Sequence, residues 1–282
     1  MKKIGLVIDS TTILTQKDIE KYNIEVVSLN VIYKNESQKE LDLRDDFIIA
    51  NLEDVKVFKT ASPNPQDFLE AYQRLWQKGF KDIIVVPLSK ELSTTYQTAF
   101  LAKEIDDNSE HIYIIDTNIC NFGNANLIET MLPLIEEDVA IEEVVKEFNR
   151  RSENSQLLFS VNDLKHLFHG GRLSKLSAVL GTLLKIKPIV EMIDGKLKLS
   201  YKVRHTKAML EIFMKYIEKY VNKYQNVFLK VVHLQNRAIM EKLIDLVSKK
   251  YDKIKLSILD RVNPVFLTHL GNNGIGIALT GF

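Results

Sequence analysis

The sequence has a single cysteine, Cys120, so no internal disulfide can form and the fold must rest on its core. A reducing, cytoplasmic compartment is the natural expectation. Six prolines and eleven glycines in 282 residues are too few for long disordered linkers. Charge of neither sign is in excess: 38 Lys and Arg against 37 Asp and Glu leave +1, and no basic field invites nucleic acid. No run stays apolar for the roughly 20 residues that a membrane-spanning helix needs. The first apolar run, Ile4 to Ile8, stops at Asp9, short of the roughly 7 to 15 apolar residues of a secretion signal. The phosphate signatures are also missing. Gly-x-x-x-x-Gly-Lys-Ser/Thr does not occur, and no Gly-x-Gly-x-x-Gly joins a strand to a helix, which disfavours a nucleotide enzyme.

What is present is an ordinary globular composition, 45% hydrophobic and 27% charged. The length exceeds the usual single-core size and predicts two packed domains. The polar stretch from Ser152 to Gln156 marks their boundary, giving residues 1–155 and 156–282. In the first, short apolar runs alternate with amphipathic ones: strands over Ile4 to Ile8, Ile24 to Tyr33, Val55 to Lys59, Asp82 to Pro87 and His111 to Ile115, with helices between them. Thr15 caps a helix and Pro65 opens another. The alternation predicts an α/β fold with a mostly parallel sheet and helices on both faces. The second half breaks that rhythm. Asp194-Gly195 between two apolar runs predicts a β-hairpin, strands follow at Val227 to His233, Lys255 to Ile258, Val265 to His269 and Gly276 to Leu279, and the sheet is expected to be mixed.

Four loops at the carboxyl ends of strands look alike. Asp9-Ser10-Thr11-Thr12, Thr60-Ala61-Ser62, Ser89 with Ser93-Thr94-Thr95, and Asp116-Thr117-Asn118 all place hydroxyls at the edge where open sheets bind ligands. Hydroxyls and free N–H groups at helix starts suit a small anion such as a carboxylate or phosphate, although each loop read alone is also an ordinary helix cap. The other unusual stretch follows Gly170-Gly171-Arg172. There Leu173, Leu176, Leu180, Leu183, Leu184 and Ile186 recur at helical spacing before Pro188, and the interruptions by Ser and Lys leave the run lining something apolar inside the protein.

Other residues allow rival readings. His166 and His169 stand three apart, but no third ligand is placed, so no metal is expected. Ser93 and His269 could form a nucleophile and base of a small acyl hydrolase or transferase, yet no Gly-x-Ser-x-Gly surrounds Ser93. A third reading is a module for a phosphorylated metabolite. Arg172 and Arg204 are either solvated surface residues or contacts for an acidic or phosphate-bearing partner.

The combination resembles the DegV family, the bacterial fatty-acid-binding proteins that serve as the B subunit of fatty acid kinase. The likeness rests on Asp9-Ser10-Thr11, Thr60-x-x-Pro63-x-Pro65, Leu92-Ser93-x-Thr95-Tyr96-Gln97, Asp116, Gly170-Gly171-Arg172-Leu173-Ser174-Lys175, Lys187-Pro188-Ile189 with Asp194-Gly195-Lys196, Lys202-Val203-Arg204, and Thr268-His269-x-Gly271. It runs nearly end to end. The resemblance implies two α/β domains enclosing one long-chain fatty acid, with no cofactor. The carboxylate would be held by Thr60, Ser62, Ser93, Thr94 and His269, and the tail would lie in a tunnel walled by Leu173, Leu176, Leu180, Leu183, Leu184 and Ile186. It further implies a carrier that is not itself an enzyme, which hands the acid to an ATP-dependent kinase subunit for acyl phosphate formation in phospholipid synthesis. Arg172 and Arg204 would dock that subunit, and loading allows a transient membrane contact. Thr94 stands where the family often has glycine, and Asn272-Asn273 where it tends to have Gly-Pro-Gly.

Overall fold

The computed structural model describes residues 4–53, 57–137, 139–162, 164–173 and 186–282. The first half runs β1 (Ile4–Asp9), α1 (Gln16–Tyr22), β2 (Glu25–Val27), β3 (Asn30–Tyr33), β4 (Glu36–Lys39), α2 (Asp45–Ala50), β5 (Phe58–Ala61), α3 (Pro65–Gln77), β6 (Asp82–Val86), α4 (Thr95–Glu104), β7 (Ile112–Ile114), α5 (Phe122–Glu136) and α6 (Ile141–Glu153). The second runs β8 (Ser155–Val161), α7 (Lys165–His169), β9 (Lys187–Ile193), β10 (Lys196–Val203), α8 (Thr206–Lys223), β11 (Val227–Leu234), α9 (Arg237–Lys250), β12 (Lys255–Leu259), α10 (Pro264–Leu270) and β13 (Gly274–Gly281).

The first sheet, ordered β2-β1-β6-β7, is parallel throughout. Its strands alternate faces, as a period of two requires. Val7, Ile83 and Val85 meet Phe68, Tyr72 and Leu75 of α3 and Ala99 of α4, while Leu6, Ile8 and Ile84 are in the cluster with Ile128 and Met131 of α5 and Val144 and Phe148 of α6. With both faces covered, these strands are apolar on both sides. The second sheet, β10-β9-β8-β13-β11-β12, is mixed, with only β11 and β12 parallel. One face carries Leu158, Leu229 and Ile277 under α8 and α9. The other turns Leu157, Phe159, Val190 and Val232 toward the first half, where they share a core with Leu29, Leu88, Ile119, Phe122 and α10. Gly276 of β13 lets Phe122 come in closely, since a Cβ there would lie 2.6 Å from its ring.

Two expectations change, and one strand, β4, was not expected at all. The strand expected over Ile24 to Tyr33 is two strands in two sheets: β2 stays parallel to β1, and β3 pairs antiparallel with β4 and β5 in a small sheet of order β4-β3-β5. β4 escapes the sequence because its turn is Lys34-Asn35, both at positive φ, where a hairpin signal would show Asn-Gly or Asp-Gly. The Asp194-Gly195 turn, with φ of 52° and 75°, carries that signal and forms the expected hairpin. The stretch from Val265 to His269, expected as a strand, is helical. Pro264 opens α10, and the Val265 N–H donates to the buried Glu40 carboxylate (2.8 Å), a distant partner that no local pattern announces. Of the apolar segment, Leu176, Leu180, Leu183 and Leu184 lie outside the described residues; Leu173 is buried and bridges Leu197.

Candidate functional site

The core shared by the two halves opens into a cavity of about 40 Å³, lined by Thr11, Thr60, Ser93, Cys120, Arg172 and His269 with Leu29, Leu88, Leu92, Leu197, Val265 and Phe266 among its apolar walls. Each polar residue arrives on a different element. Thr60 lies on β5, Ser93 precedes α4, Thr11 follows β1, and His269 ends α10.

Two buried carboxyls hold the frame. Asp9 accepts from the Thr11 N–H (2.9 Å) and hydroxyl (2.5 Å) with one oxygen and from the Leu88 N–H (2.5 Å) with the other, so it joins the first hydroxyl loop to the third. Burial pushes its pKa up to about 6, against the pull of those hydrogen bonds. Glu40 accepts from the Ser10 hydroxyl and from Val265 N–H, tying that loop to α10, and burial raises it to about 7. Asn263 continues the seam, donating to the Ser10 carbonyl (2.7 Å) while accepting from Asn121 (3.0 Å). Sequence reasoning met Asp9 only as part of a hydroxyl loop and missed Glu40 and Asn263. Asp9 at a strand end carried a weak signal; Glu40 carried none.

His269 is buried, and its Nε2 lies 2.8 Å from Thr60 Oγ1. Desolvation holds its pKa down at about 3, with the charges of Arg172 and His166 adding to the effect, so the ring is neutral at physiological pH. Nδ1 is buried and has no hydrogen-bond partner among the described residues. An orphaned N–H is rarer in proteins than an orphaned acceptor, which assigns the proton to Nε2, donating to Thr60. The Thr60 hydroxyl is then free to donate its own proton into the cavity. Gly170 makes this packing feasible, because a Cβ there would sit 2.3 Å from His269 Nδ1. Gly171, at φ +70°, supplies the reversal, so the two adjacent glycines serve different needs.

Arg172 does not project freely. Its Nε donates to the Leu92 carbonyl (3.2 Å) and Nη1 to the Gly170 carbonyl (2.6 Å), and the half-buried guanidinium lines the cavity. Desolvation lowers its pKa. Among the described residues it is the one formal charge that lines the cavity. Ser93 shares a hydrogen bond with Thr95 (2.9 Å) rather than with His269, which brings no nucleophile and base pair together. Ser62 and Thr94 bond to each other (2.5 Å) away from the lining. Thr94 has φ −76°, a conformation open to any residue, so its replacement of glycine strains nothing. Arg204 is exposed beyond β10, and Ile186 is half-buried without lining the cavity.

Over residues 3–281 the sequence matches the family described as "Uncharacterised protein, DegV family". The chain belongs to the DegV family. A DegV domain-containing protein of Staphylococcus aureus is 30% identical over 280 residues, 99% of either chain. A Thermotoga maritima relative named fatty acid-binding protein is 28% identical over 285 residues, 98% of this chain and 97% of its own. The crystal structure of a fatty acid binding DegV family protein from Streptococcus agalactiae superimposes with a TM-score of 0.86 at 25% identity, covering 100% of each chain. Fatty acid binding is thus described for DegV proteins, and the α/β fold here is theirs. As a DegV chain it shows, among the described residues, no set of three or more His, Cys, Asp or Glu that could hold a metal, and no helix long and apolar enough to cross a membrane.

Proposed function

We propose that this chain binds a long-chain fatty acid and presents its carboxyl group to an ATP-dependent kinase subunit, which converts it to an acyl phosphate for phospholipid synthesis. The observation that carries the binding step is one cavity with hydroxyls, a neutral imidazole and a guanidinium among its walls and aliphatic side chains around them. Thr60 and Ser93 would donate to the carboxylate, His269 would orient Thr60, and Arg172 would supply the opposite charge. Ser62 and Thr94, paired at the surface, would form the rim.

A cavity of about 40 Å³ holds the carboxyl end, and the acyl tail would part the side chains of the shared core to enter. Leu173 stands in that core beside Leu197, and we assign it to the tunnel wall together with Leu176, Leu180, Leu183, Leu184 and Ile186. Burial at roughly 0.8 kcal/mol per methylene gives a sixteen-carbon tail on the order of 10 kcal/mol to set against the costs of ordering. Loading allows a transient membrane contact, and the fatty acid serves as the ligand with no other cofactor. The work is placed in the cytoplasm, and Arg204, exposed and away from the cavity, is assigned to kinase docking.

Mass spectrometry of an organic extract of the purified protein tests this reading. One equivalent of fatty acid is the expected result. A protein that carries no lipid and takes none up from a fatty acid mixture would overturn it. Arg172→Ala separates two roles: loss of lipid retention supports the carboxylate contact, and retained lipid with failed acyl phosphate formation moves Arg172 to docking.

A further inference from the structure

A second cavity, of about 330 Å³, lies behind the first, on the other side of the loop after β1. Thr11 and Val265 line the first; Ser10, Thr12, Asn263 and Pro264 line the second, and Glu40 stands between them, bonded to Ser10 and to the Val265 N–H. We propose that this second cavity, bounded by Thr12, Glu40, Asp45 and Arg261, is a binding site for a small aliphatic ammonium compound.

The chemistry follows from the polar groups facing that space. Glu40 is 2% exposed and Thr12 3%, so both are interior groups. Thr12 Oγ1 is buried, lines the cavity and has no hydrogen-bond partner among the described residues, although a hydroxyl in the interior normally finds one. The carboxyl of Asp45 is half-buried at the start of α2 and lines the same wall. Its pKa is raised by burial and eased downward by Arg261, an exposed residue at the mouth that reaches it only through space. Glu40 in turn feels Asp9 and Asp45, both of which push its pKa up beyond the effect of burial. Two carboxyls, Glu40 and Asp45, thus line one space, and among the described lining residues the one cation, Arg261, is exposed. An ammonium group offers three N–H donors and one positive charge, which meets Thr12 Oγ1, Glu40 and Asp45 together. Ile13, Leu14, Ile19 and Val26 line the same space beside Ser10, Gln16 and Asn263, and supply contact for a short alkyl body. A bare metal ion fits less well, because the described residues bring no three strong ligands together.

Isothermal titration of the purified protein with butylammonium chloride at pH 8, against 1-butanol as the uncharged control, tests the site. Saturable one-to-one binding of the amine and none of the alcohol is expected, with Glu40→Gln and Asp45→Asn each weakening it at least about tenfold, in line with a charge-assisted contact. Thr12→Val should weaken it by a smaller factor. Asp45 is at the surface end of the wall, so Asp45→Asn remains informative if the Glu40 variant fails to fold. The proposal is overturned if the amine shows no saturable binding at millimolar concentrations, if 1-butanol binds equally, or if Thr60→Val abolishes binding while Asp45→Asn leaves it intact, which would put the amine in the first cavity.

Discussion

Adjacent glycines and one hydroxyl decide most of what happens at the residue scale. Gly170 and Gly171 are identical in the sequence and opposite in their constraints. A methyl group on Gly170 meets His269 Nδ1 at 2.3 Å, whereas one on Gly171 meets none of the described residues within 4 Å and suffers only its φ of +70°. Gly170→Ala is expected to destabilise by about 2 kcal/mol or more through forced displacement of a buried ring, and Gly171→Ala by about 1 kcal/mol. Urea unfolding of the two variants checks the ranking; equal losses would mean the His269 contact yields freely. At the cavity, Thr60→Val removes the hydroxyl that His269 orients while keeping the side chain's size. It should cost about 1 to 3 kcal/mol in fatty acid affinity by leaving the imidazole N–H and the carboxylate without their partner. Displacement of a fluorescent fatty acid measures it, and an unchanged affinity would remove Thr60 and His269 from the site.

At the scale of elements, α10 and the loop after β1 are held by a carboxyl that is easier to protonate when folded. Glu40 titrates at about 7 in the folded chain against 4.5 for a free side chain, and Asp9 at about 6 against 3.8. The folded state therefore holds more protons than the unfolded state across this range, and stability falls as pH rises. The favourable contribution of Glu40 is complete below about 4.5 and gone above about 7; that of Asp9 spans about 3.8 to 6. At roughly 1.4 kcal/mol per pKa unit, the Glu40 contribution is on the order of 3 kcal/mol. Glu40→Gln keeps an oxygen for the Val265 N–H and an amide N–H that can donate to Ser10, so its stability should be nearly flat from pH 6 to 7.5, whereas the parent chain weakens. Denaturant midpoints across pH 5 to 8 decide it, and parallel curves for parent and variant would locate the proton elsewhere.

For the molecule as a whole, the first cavity and the core between the halves are one structure. Leu29, Ile119, Leu157, Phe159, Val190, Val232 and Phe266 share a cluster that neither sheet could bury alone. A fatty acid that enters this cluster binds the folded state only, so saturation at 100 times Kd should stabilise the protein by about 2.7 kcal/mol and raise its melting temperature. Scanning calorimetry of delipidated protein with and without added fatty acid reads this directly. An unmoved transition would mean the acid binds at the surface.

The sequence by itself determined the elements with strong local signatures. β1, α1 behind Thr15, α3 behind Pro65, the Asp194-Gly195 hairpin and the parallel rhythm of the first half were all legible, because period, caps and turn residues act over a few neighbours. The hydroxyl loops were legible as polar loops at strand ends for the same reason. Only the tertiary structure decided the division of Ile24 to Tyr33 between two sheets, the glycine-free turn into β4, and the helix at Pro264–Leu270. It also decided that Arg172 turns inward, that His269 is neutral and paired with Thr60, and that Ser93 faces Thr95. Several of the deciding partners are far away in the chain: Glu40 meets Val265 across 225 positions, Thr60 meets His269 across 209 and Arg172 meets the Leu92 carbonyl across 80. Burial and pairing over such distances depend on the packed whole, and local pattern carries no record of them.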